Sequence, residues 1–415
     1  MAHEFELILF DLDDTLAETA HLTSFRGMSN VNRADPEYLN ELKTALSSNS
    51  SSSNWECEHL IELKRSGVKL GIVTNAPKAY ATTVLDHLFP EVGWDTIVAF
   101  EDVGQGHHKP DPEPIQRAMR KCGVTDRHAV AYVGDSRGDL LCAYFAGVSA
   151  VLYHKGSRSS DGKRLGVEVD CIPDACIRSM EELQTFINWP GSGLPPLERI
   201  PPPREAAMAM VLSPSSPYWA TYSPPWGGDP VRVLCLARYF PKEFSSKAPV
   251  HRFSRELLHY KDDRTFPSHW PEVLANLLSE ISRNKGGEIL ATVIPSRPGK
   301  PPRLEALLDA VRLQVEKVQG QTDSVKFDGA VLQFLHSAPS AADTHQGRNA
   351  RFENLRSQLS FKGPDDLAGR HLVLIDDVVT SGASLWTASN LLREAGASSV
   401  TLVALARTIS KATLR

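Results

Sequence analysis

Short apolar runs alternate with amphipathic segments from residue 5 to about residue 189. Buried strands are predicted at 7–10, 69–73 and 129–133. Amphipathic helices are predicted at 113–122, 139–146 and 179–187. This alternation predicts an α/β domain over residues 1–189 with a parallel, doubly wound sheet.

The same alternation resumes at residue 231 and continues to the end of the chain. Strands are predicted at 231–236, 288–294, 328–334, 371–376 and 399–406. Helices are predicted at 252–260, 271–283, 302–316 and 384–395. A second doubly wound parallel-sheet domain is therefore predicted over residues 231–415.

Residues 190–230 differ from both flanks because prolines cluster there among glycine and serine. This composition predicts a stiff, extended linker between the two domains. Three aromatic residues, Trp219, Tyr222 and Trp226, indicate that part of the stretch lies against a domain.

Composition and charge exclude several classes of protein. The 415 residues suggest two or three domains, and 23% charged with 41% hydrophobic residues is ordinary for a globular chain. A net charge of −5 disfavours a nucleic-acid or membrane-surface protein. No apolar run reaches the roughly 18 residues of a membrane span, and the N-terminus lacks the basic region of a signal peptide. The six cysteines are scattered without a Cys-x-x-Cys pair, which favours reduced thiols in a cytosolic protein.

Polar residues follow several apolar runs of the first domain. Asp11 and Asp13 follow the first strand, Thr74 and Asn75 follow the strand at 69–73, and residues 134–139 (GDSRGD) follow the strand at 129–133. Because the carboxyl ends of parallel strands share one edge of a sheet, these groups are expected to converge there. One carboxylate of the first pair could attack a phosphorus atom while the other handles a proton.

The order and spacing of these segments, together with Lys109, resemble the haloacid dehalogenase superfamily of phosphatases over residues 5–189. The resemblance implies that Asp11 is the nucleophile that forms an aspartyl-phosphate and that Asp13 is the general acid/base. It also implies that Lys109 stabilises charge. A non-catalytic member of the superfamily is the minority alternative.

The same resemblance implies a phosphate site and a metal site. Thr74 and Asn75 would bind phosphate. Asp135 would bind Mg²⁺ with the Asp11 carboxylate and the Asp13 backbone carbonyl, and Asp139 would support that site. The family places a helical cap after the first strand, but the insertion here, about 17–67, is half the usual length and contains a Ser/Asn run. A full cap is therefore not expected.

A second group of candidate binding residues lies at 373–384 (VLIDDVVTSGAS), in the second predicted domain. An apolar strand ends in Asp376 and Asp377, and a turn of small residues then leads into a helix, where backbone N–H groups bind phosphate. The segment resembles the phosphoribosyl-pyrophosphate (PRPP) signature of type I phosphoribosyltransferases. By that resemblance the two aspartates hold the ribose hydroxyls. The PRPP-binding residues would be Asp376, Asp377, Val378, Val379, Thr380, Ser381, Gly382, Ala383 and Ser384.

Further segments are similar to the competence-protein-F-like branch of that family, among them 257–261, 293–297, 347–352 and 404–408. Arg297 and Lys300 are the candidates for contacting pyrophosphate. Residues 336–348 are predicted to form the mobile loop that closes over PRPP.

The sequence therefore predicts a bifunctional cytosolic enzyme. A Mg²⁺-dependent phosphohydrolase would be joined to a PRPP-dependent phosphoribosyltransferase, with small phosphoesters and PRPP as ligands. One alternative is a phosphatase regulated by a PRPP-sensing domain, and a second is a DNA-uptake or repair adaptor, against which the acidic pI counts. The phosphoester, the acceptor and the oligomeric state, a homo-oligomer included, are left open.

Overall fold

A computed structural model describes residues 5–27, 35–48, 53–154, 172–214, 216, 218–260, 265–319, 324–335, 355, 357–363 and 367–409. The chain divides into two compact units. The first unit comprises residues 1–194 and 242–249, and the second comprises 195–241 and 250–415. Among the described residues, no helix has the length and apolar character that crossing a membrane requires.

The first unit is built on a six-stranded parallel sheet in the order β3-β2-β1-β4-β5-β6. Its strands are β1 (Leu7–Phe10), β2 (Lys69–Val73), β3 (Thr96–Val98), β4 (Val130–Gly134), β5 (Ser149–Tyr153) and β6 (Ala175–Ile177). β1 lies in the interior of the sheet between β2 and β4, and all four of its residues are buried. The residues that follow β1, β2 and β4 therefore emerge side by side.

Seven helices of the first unit lie within the described residues. They are α1 (Thr23–Arg26), α2 (Pro36–Ser48), α3 (Cys57–Arg65), α4 (Lys78–Leu88), α5 (Glu113–Cys122), α6 (Arg137–Ala146) and α7 (Met180–Asn188). The sequence predicted the last three to within two residues, because their apolar spacing and capping residues mark them locally.

The insertion after β1 packs into the core of the first unit. Its residues Leu42, Leu46, Trp55, Leu60 and Leu63 belong to the same buried cluster as Ile8 and Phe10. The indole N–H of Trp55 donates to the Thr15 carbonyl oxygen at 2.8 Å. Helices α2 and α3 therefore share their apolar faces with the core of the sheet domain.

A short segment from later in the chain completes the first unit. Phe244 is fully buried, and its ring stacks on Phe145 of α6 with centroids 4.7 Å apart. Lys247 donates to the Val148 carbonyl oxygen at 3.3 Å and lies 3.5 Å from the Asp174 carboxylate. Residues 242–249 thus contribute an aromatic anchor and an ion pair to a unit whose other residues all precede 195.

The second unit contains a mostly parallel sheet in the order β11-β10-β14-β15-β8-β7, with β9 paired to β15. Its strands are β7 (Trp219–Tyr222), β8 (Val231–Cys235), β9 (Arg238–Tyr239), β10 (Ile289–Val293), β11 (Val325–Phe327), β14 (His371–Val379) and β15 (Ser399–Thr408). β7 is antiparallel to β8. A separate antiparallel pair is formed by β12 (Leu332–Phe334) and β13 (Leu359–Phe361). The predicted α/β class with two parallel-sheet domains is confirmed.

Helices of the second unit are α8 (Glu205–Leu212), α9 (Arg252–His259), α10 (His269–Lys285), α11 (Arg303–Gln319) and α12 (Ala383–Glu394). The strand predicted at 328–334 differs from the structure, in which β11 ends at Phe327 and β12 begins at Leu332. Asp328 accepts a hydrogen bond from the Ala330 N–H at 2.8 Å, and this Asx turn interrupts the extended chain.

The stretch predicted as an extended linker contains α8 and β7. It is also anchored by Glu198, which is 7% exposed. The Glu198 carboxylate accepts hydrogen bonds from the Arg238 guanidinium at 2.5 Å and lies 3.0 Å from His251 Nε2. The aromatic residues behave as the sequence indicated, since Trp219 and Tyr222 lie on β7 and Trp226 packs edge-on against Trp386.

Candidate active sites

The ends of β1 and β2 fix the positions of two polar residues of the first site. Asp11 follows β1, and its backbone N–H donates to the Val133 carbonyl of β4 at 2.8 Å. Thr74 follows β2, and its N–H donates to the Val98 carbonyl at 3.0 Å. These backbone bonds extend the sheet by one residue, so the two side chains leave it from fixed positions. Asp11 is 6% exposed and Thr74 is 4% exposed.

Lys109 links two of the aspartates. Its Nζ lies 2.6 Å from Asp11 Oδ1 and 2.7 Å from Asp139 Oδ1, and its side chain is 8% exposed. A buried ammonium group needs this pairing, because removal from water is otherwise costly. The predicted convergence of Asp11, Lys109 and Asp139 is present in the structure.

Asp139 is held by protein donors at both carboxylate oxygens. Oδ1 faces Lys109 and the Tyr132 hydroxyl at 2.9 Å, and Oδ2 accepts from the Ser136 hydroxyl at 2.5 Å and its N–H at 3.0 Å. Gly134 is required beside it, since a Cβ there would lie 2.4 Å from the Asp139 Cβ. Sequence reasoning did not find Tyr132, whose only local signal is an apolar strand.

The buried charges perturb one another. Burial raises the pKa of Asp11 well above its usual value, and Asp139 and Asp13 add to the effect while Lys109 opposes it. Burial would also raise the pKa of Asp139, but the Lys109 charge and three hydrogen-bond donors hold it below its usual range. The two carboxylates raise the pKa of Lys109 against the effect of its burial. The cluster therefore favours a charged Lys109 beside an ionised Asp139.

Asp13 is surrounded by groups that the sequence did not indicate. Its Oδ1 accepts from the Thr19 hydroxyl at 2.6 Å and from the Tyr80 hydroxyl at 2.8 Å. The Arg26 guanidinium of α1 lies 3.4 Å from the same oxygen. Three donors from the insertion and from α4 thus fix one carboxylate oxygen.

The loops after β2 and before α5 are tied together. The Asn75 side chain accepts from the Lys109 N–H at 3.0 Å and donates to the Lys109 carbonyl oxygen at 3.3 Å. The Thr74 hydroxyl accepts from the Ala76 N–H at 3.0 Å. Asn75 therefore helps to orient the lysine that reaches Asp11.

Three carboxylates form a group that fits a metal ion. One oxygen each from Asp11, Asp135 and Asp139 can be chosen so that all lie within 4.8 Å of one another. An all-oxygen carboxylate set suits a hard cation such as Mg²⁺. Asp139 already uses both oxygens on protein donors, which suits it to a supporting position beside the metal.

The second site lies at the end of β14. Asp376 is 9% exposed, and burial together with the charge of Asp377 raises the pKa of Asp376 well above its usual value. The turn that follows contains Gly382 at φ +76°. A Cβ on Gly382 would lie 2.5 Å from Tyr222 Cβ, so both the backbone angle and the packing of β7 require glycine here.

A cavity of about 730 Å³ in the second unit collects many of the predicted PRPP residues. Both aspartates line it, as do Arg297 and Lys300. Among the turn residues, Val378, Thr380 and Ser384 also line it. Val379, Ser381, Gly382 and Ala383 do not line the cavity, and the loop predicted at 336–348 and residues 347–352 lie outside the described residues. Arg303 lines the cavity as well.

Two family models match the chain. Residues 23–153 match the haloacid dehalogenase-like hydrolase model, and residues 316–414 match the phosphoribosyl transferase domain model. The first match begins after Asp11 and Asp13 but includes Thr74, Lys109 and Asp135.

Among curated relatives, a phosphoglycolate phosphatase of Xanthomonas campestris is 31% identical over 157 residues, which are 37% of this chain and 67% of that protein. Pyrophosphatase PpaX of Halalkalibacterium halodurans is 28% identical over 221 residues, which are 45% of this chain and 98% of that protein. A solved haloacid dehalogenase-like hydrolase from Bacteroides fragilis is 25% identical, with 38% of this chain and 90% of that chain covered at a TM-score of 0.28.

Proposed function

Because the chain belongs to the haloacid dehalogenase superfamily of phosphatases and carries a phosphoribosyltransferase domain, we propose that it hydrolyses phosphomonoesters through an aspartyl-phosphate on Asp11. The observation that carries this proposal is the buried contact of Asp11 with Lys109, with Asp135 and Asp139 beside it. A nucleophilic carboxylate held against an ammonium group suits attack on an anionic phosphate.

In the first step, an Asp11 oxygen attacks phosphorus, and the bond from phosphorus to the ester oxygen breaks. Asp13 donates a proton to the departing oxygen. Its Oδ1 is held by Thr19, Tyr80 and Arg26, so Oδ2 is the oxygen left to reach the substrate. Lys109 offsets the negative charge that the phosphate brings to the carboxylates.

In the second step, water attacks the phosphorus of the aspartyl-phosphate and gives its proton to Asp13. The bond from phosphorus to Asp11 breaks, which releases inorganic phosphate and restores the carboxylate. Thr74 and Asn75, at the end of β2, would hold phosphate oxygens during both steps.

We propose that the site binds a divalent cation, Mg²⁺. Asp11, Asp135 and the Asp13 backbone carbonyl would hold it. When bound it would neutralise negative charge on the phosphate oxygens. Asp139 would act on this site by holding Lys109 and by adding negative charge nearby.

The substrate class that we propose is a small phosphomonoester, a ribose phosphate or nucleotide among them. Phosphoglycolate should be among the first phosphomonoesters assayed as substrates, because relatives of the first domain are phosphoglycolate phosphatases. The cytosolic location inferred from the cysteines stays a prediction.

Acid-quench labelling tests the nucleophile. The wild-type chain given a ³²P-labelled phosphoester should yield a protein-bound label that hydroxylamine removes, as expected of an acyl phosphate. Asp11→Asn should carry no label and no turnover. Asp14→Asn is the matched control, because asparagine tolerates the φ of +59° at that position and keeps the neighbouring backbone bonds. Turnover by Asp11→Asn near the wild-type rate would refute the assignment.

For the second domain we propose PRPP binding and phosphoribosyl transfer. Asp376 and Asp377 would accept hydrogen bonds from the ribose hydroxyls, and the turn 380–384 would hold the 5′-phosphate. The segments at 257–261 and 404–408 favour the competence-protein-F-like branch. In the sensing alternative, PRPP binds the same residues and alters the phosphatase rate.

Calorimetric binding and pyrophosphate release separate the two readings. Asp376→Asn with Asp377→Asn should weaken PRPP binding under both, whereas Asp309→Asn, an exposed aspartate of α11, should not. Pyrophosphate release with a panel of nucleobases and amines supports transfer. PRPP binding without release, accompanied by a changed phosphatase rate, favours the sensor.

A further inference from the structure

Arg26 is a cation on the side of the first site where the leaving alcohol departs. Its Nη1 lies 3.4 Å from Asp13 Oδ1, and its side chain is 22% exposed while that of Asp13 is 12% exposed. In the reaction proposed above, Asp13 Oδ2 gives the proton to that alcohol. Since both oxygens belong to one carboxylate, the guanidinium lies one carboxylate width from the departing group.

Packing fixes the origin of this side chain. Arg26 is the last residue of α1, and its Nη2 donates to the Thr19 carbonyl oxygen at 2.8 Å and to the Thr23 hydroxyl at 3.3 Å. The preceding residue, Phe25, packs against the core of the first unit and meets the Tyr38 ring edge-on. The insertion after β1 therefore holds Arg26 beside Asp13.

The guanidinium keeps hydrogen-bonding capacity that the described residues do not use. The contact of Nη1 with Asp13 is longer than an ordinary N–H···O hydrogen bond. Nε is enclosed by protein, and among the described residues it has no hydrogen-bond partner. A guanidinium has five N–H donors in a rigid fork, so it can hold Asp13 and bind a second anionic group at the same time.

The charges of the site give that capacity a use. Lys109 already pairs with Asp11 at 2.6 Å and with Asp139 at 2.7 Å, and its side chain is 8% exposed. A substrate with a carboxylate close to its ester oxygen brings that charge towards Asp13, where like charges repel each other. Arg26 is the cation that the structure pairs with Asp13, and it offsets this repulsion.

On the basis of the phosphatase function proposed above, we propose that Arg26 is a specificity-determining residue of the first site. It binds a carboxylate on the alcohol portion of the phosphomonoester and keeps its contact with Asp13 Oδ1. The favoured substrates are small phosphomonoesters that carry a carboxylate close to the ester oxygen. A neutral alcohol portion offers the guanidinium no charged partner beyond Asp13.

The test compares 2-phosphoglycolate with 2-hydroxyethyl phosphate, in which a neutral CH₂OH group replaces the carboxylate, as substrates of the full chain at constant MgCl₂. For the wild type, kcat/KM should be about tenfold or more higher for 2-phosphoglycolate, which is the scale of one charge-assisted contact. Arg26→Met should lower the ratio of the two kcat/KM values about tenfold or more, chiefly through a higher KM for 2-phosphoglycolate. Any loss that comes from a displaced Asp13 affects both substrates and cancels in the ratio. Arg65→Met, at an exposed position in the last turn of α3, should leave the ratio unchanged.

The outcomes separate this inference from the function on which it rests. If the wild type hydrolyses neither substrate nor 4-nitrophenyl phosphate, the phosphatase proposal fails and this inference falls with it. If it hydrolyses any of the three without preferring 2-phosphoglycolate to 2-hydroxyethyl phosphate, the phosphatase proposal stands and the inference is overturned. Equal losses for both substrates in Arg26→Met would show that Arg26 only holds Asp13, which also overturns the inference.

A second variant decides if Arg26→Met does not fold. The amide of Arg26→Gln can still donate to the Thr19 carbonyl oxygen, but the side chain is neutral. It should lower the ratio of the two kcat/KM values by the same factor, and an unchanged ratio refutes the inference.

Discussion

Tyr80 donates its hydroxyl proton to Asp13 Oδ1 across 2.8 Å, from a helix that begins 65 residues after Asp13. Tyr80→Phe should lower kcat about tenfold or more with little change in KM, because the hydrogen bond orients the Asp13 carboxyl group that transfers the proton in the chemical step. Steady-state kinetics on a small phosphoester measure the effect. Tyr38→Phe, which loses one hydrogen bond to the Phe25 carbonyl, is the matched control. Equal losses in the two variants would contradict the role of Tyr80.

His371 at the start of β14 gives a prediction of pH dependence. Burial is the main cause that lowers its pKa to about 4, against about 6.5 for an unfolded chain. The unfolded chain therefore binds the proton first, so the stabilising contribution is complete above about pH 6.5 and is lost as the pH falls towards 4. Chemical unfolding from pH 8 to 4 should show a steeper loss for the wild type than for His371→Asn. The exposed His259→Asn should follow the wild type, and coincident profiles for His371→Asn and wild type would contradict the prediction.

At the scale of single residues, the sequence identifies site residues that stand in recognisable motifs. It misses residues that other parts of the chain bring to the site. Asp11 directly follows the apolar run of β1, and Asp376 directly follows the apolar run at 372–375 within β14, which is a local signal. Tyr80 and Arg26 carry no such signal, because their importance comes from tertiary contacts with Asp13. Long-range convergence cannot be read from periodicity.

At the scale of elements, β7 constrains the turn that would hold the 5′-phosphate. Gly382→Ala should weaken PRPP binding and destabilise the second unit, because φ is +76° and the new Cβ would lie 2.5 Å from Tyr222 Cβ. Gly369→Ala is a matched control, since its φ is also +76° but a Cβ there meets nothing within 4 Å. It should cost only the left-handed backbone term of about 1–2 kcal/mol. Urea unfolding gives the loss in free energy of unfolding for each variant, and the difference between the two losses measures the contribution of packing against β7. Equal losses would show that this packing is unimportant.

Strands and helices were predictable from the sequence where a local pattern, such as an apolar run, determines them. The apolar runs of β10, β14 and β15 mark them as buried parallel strands. The proline content of 190–230 favoured a linker, yet α8 and β7 form there because tertiary contacts such as Glu198 with Arg238 anchor the stretch. Turn chemistry at Asp328 likewise separates β11 from β12, whereas the apolar pattern predicted one strand over residues 328–334.

At the scale of the whole molecule, a fragment of residues 1–194 tests the first unit. It contains every residue proposed for the phosphatase reaction, so it should fold and hydrolyse a small phosphoester. It lacks Phe244, and loss of a buried aromatic ring of this kind costs about 3 kcal/mol or more. Its calorimetric transition should therefore lie roughly 5–10 °C below that of the same unit in the full chain.

Two variants of the full chain provide the controls for that fragment. Phe244→Ala should reproduce the lower transition, whereas Lys242→Ala, at an exposed position two residues earlier, should not. A fragment that melts at the temperature of the intact unit would show that residues 242–249 add no stability.

The position of residues 242–249 also bears on how the protein is made. A ribosome synthesises the chain from the N-terminus, and domains generally fold as units while they emerge. Here the anchor Phe244 reaches the first unit only after residues 195–241 have been translated. The hydrophobic surface around Phe145 must wait uncovered for that interval, so a nascent chain stalled before residue 244 should be a better chaperone substrate than one stalled after residue 249 has left the exit tunnel.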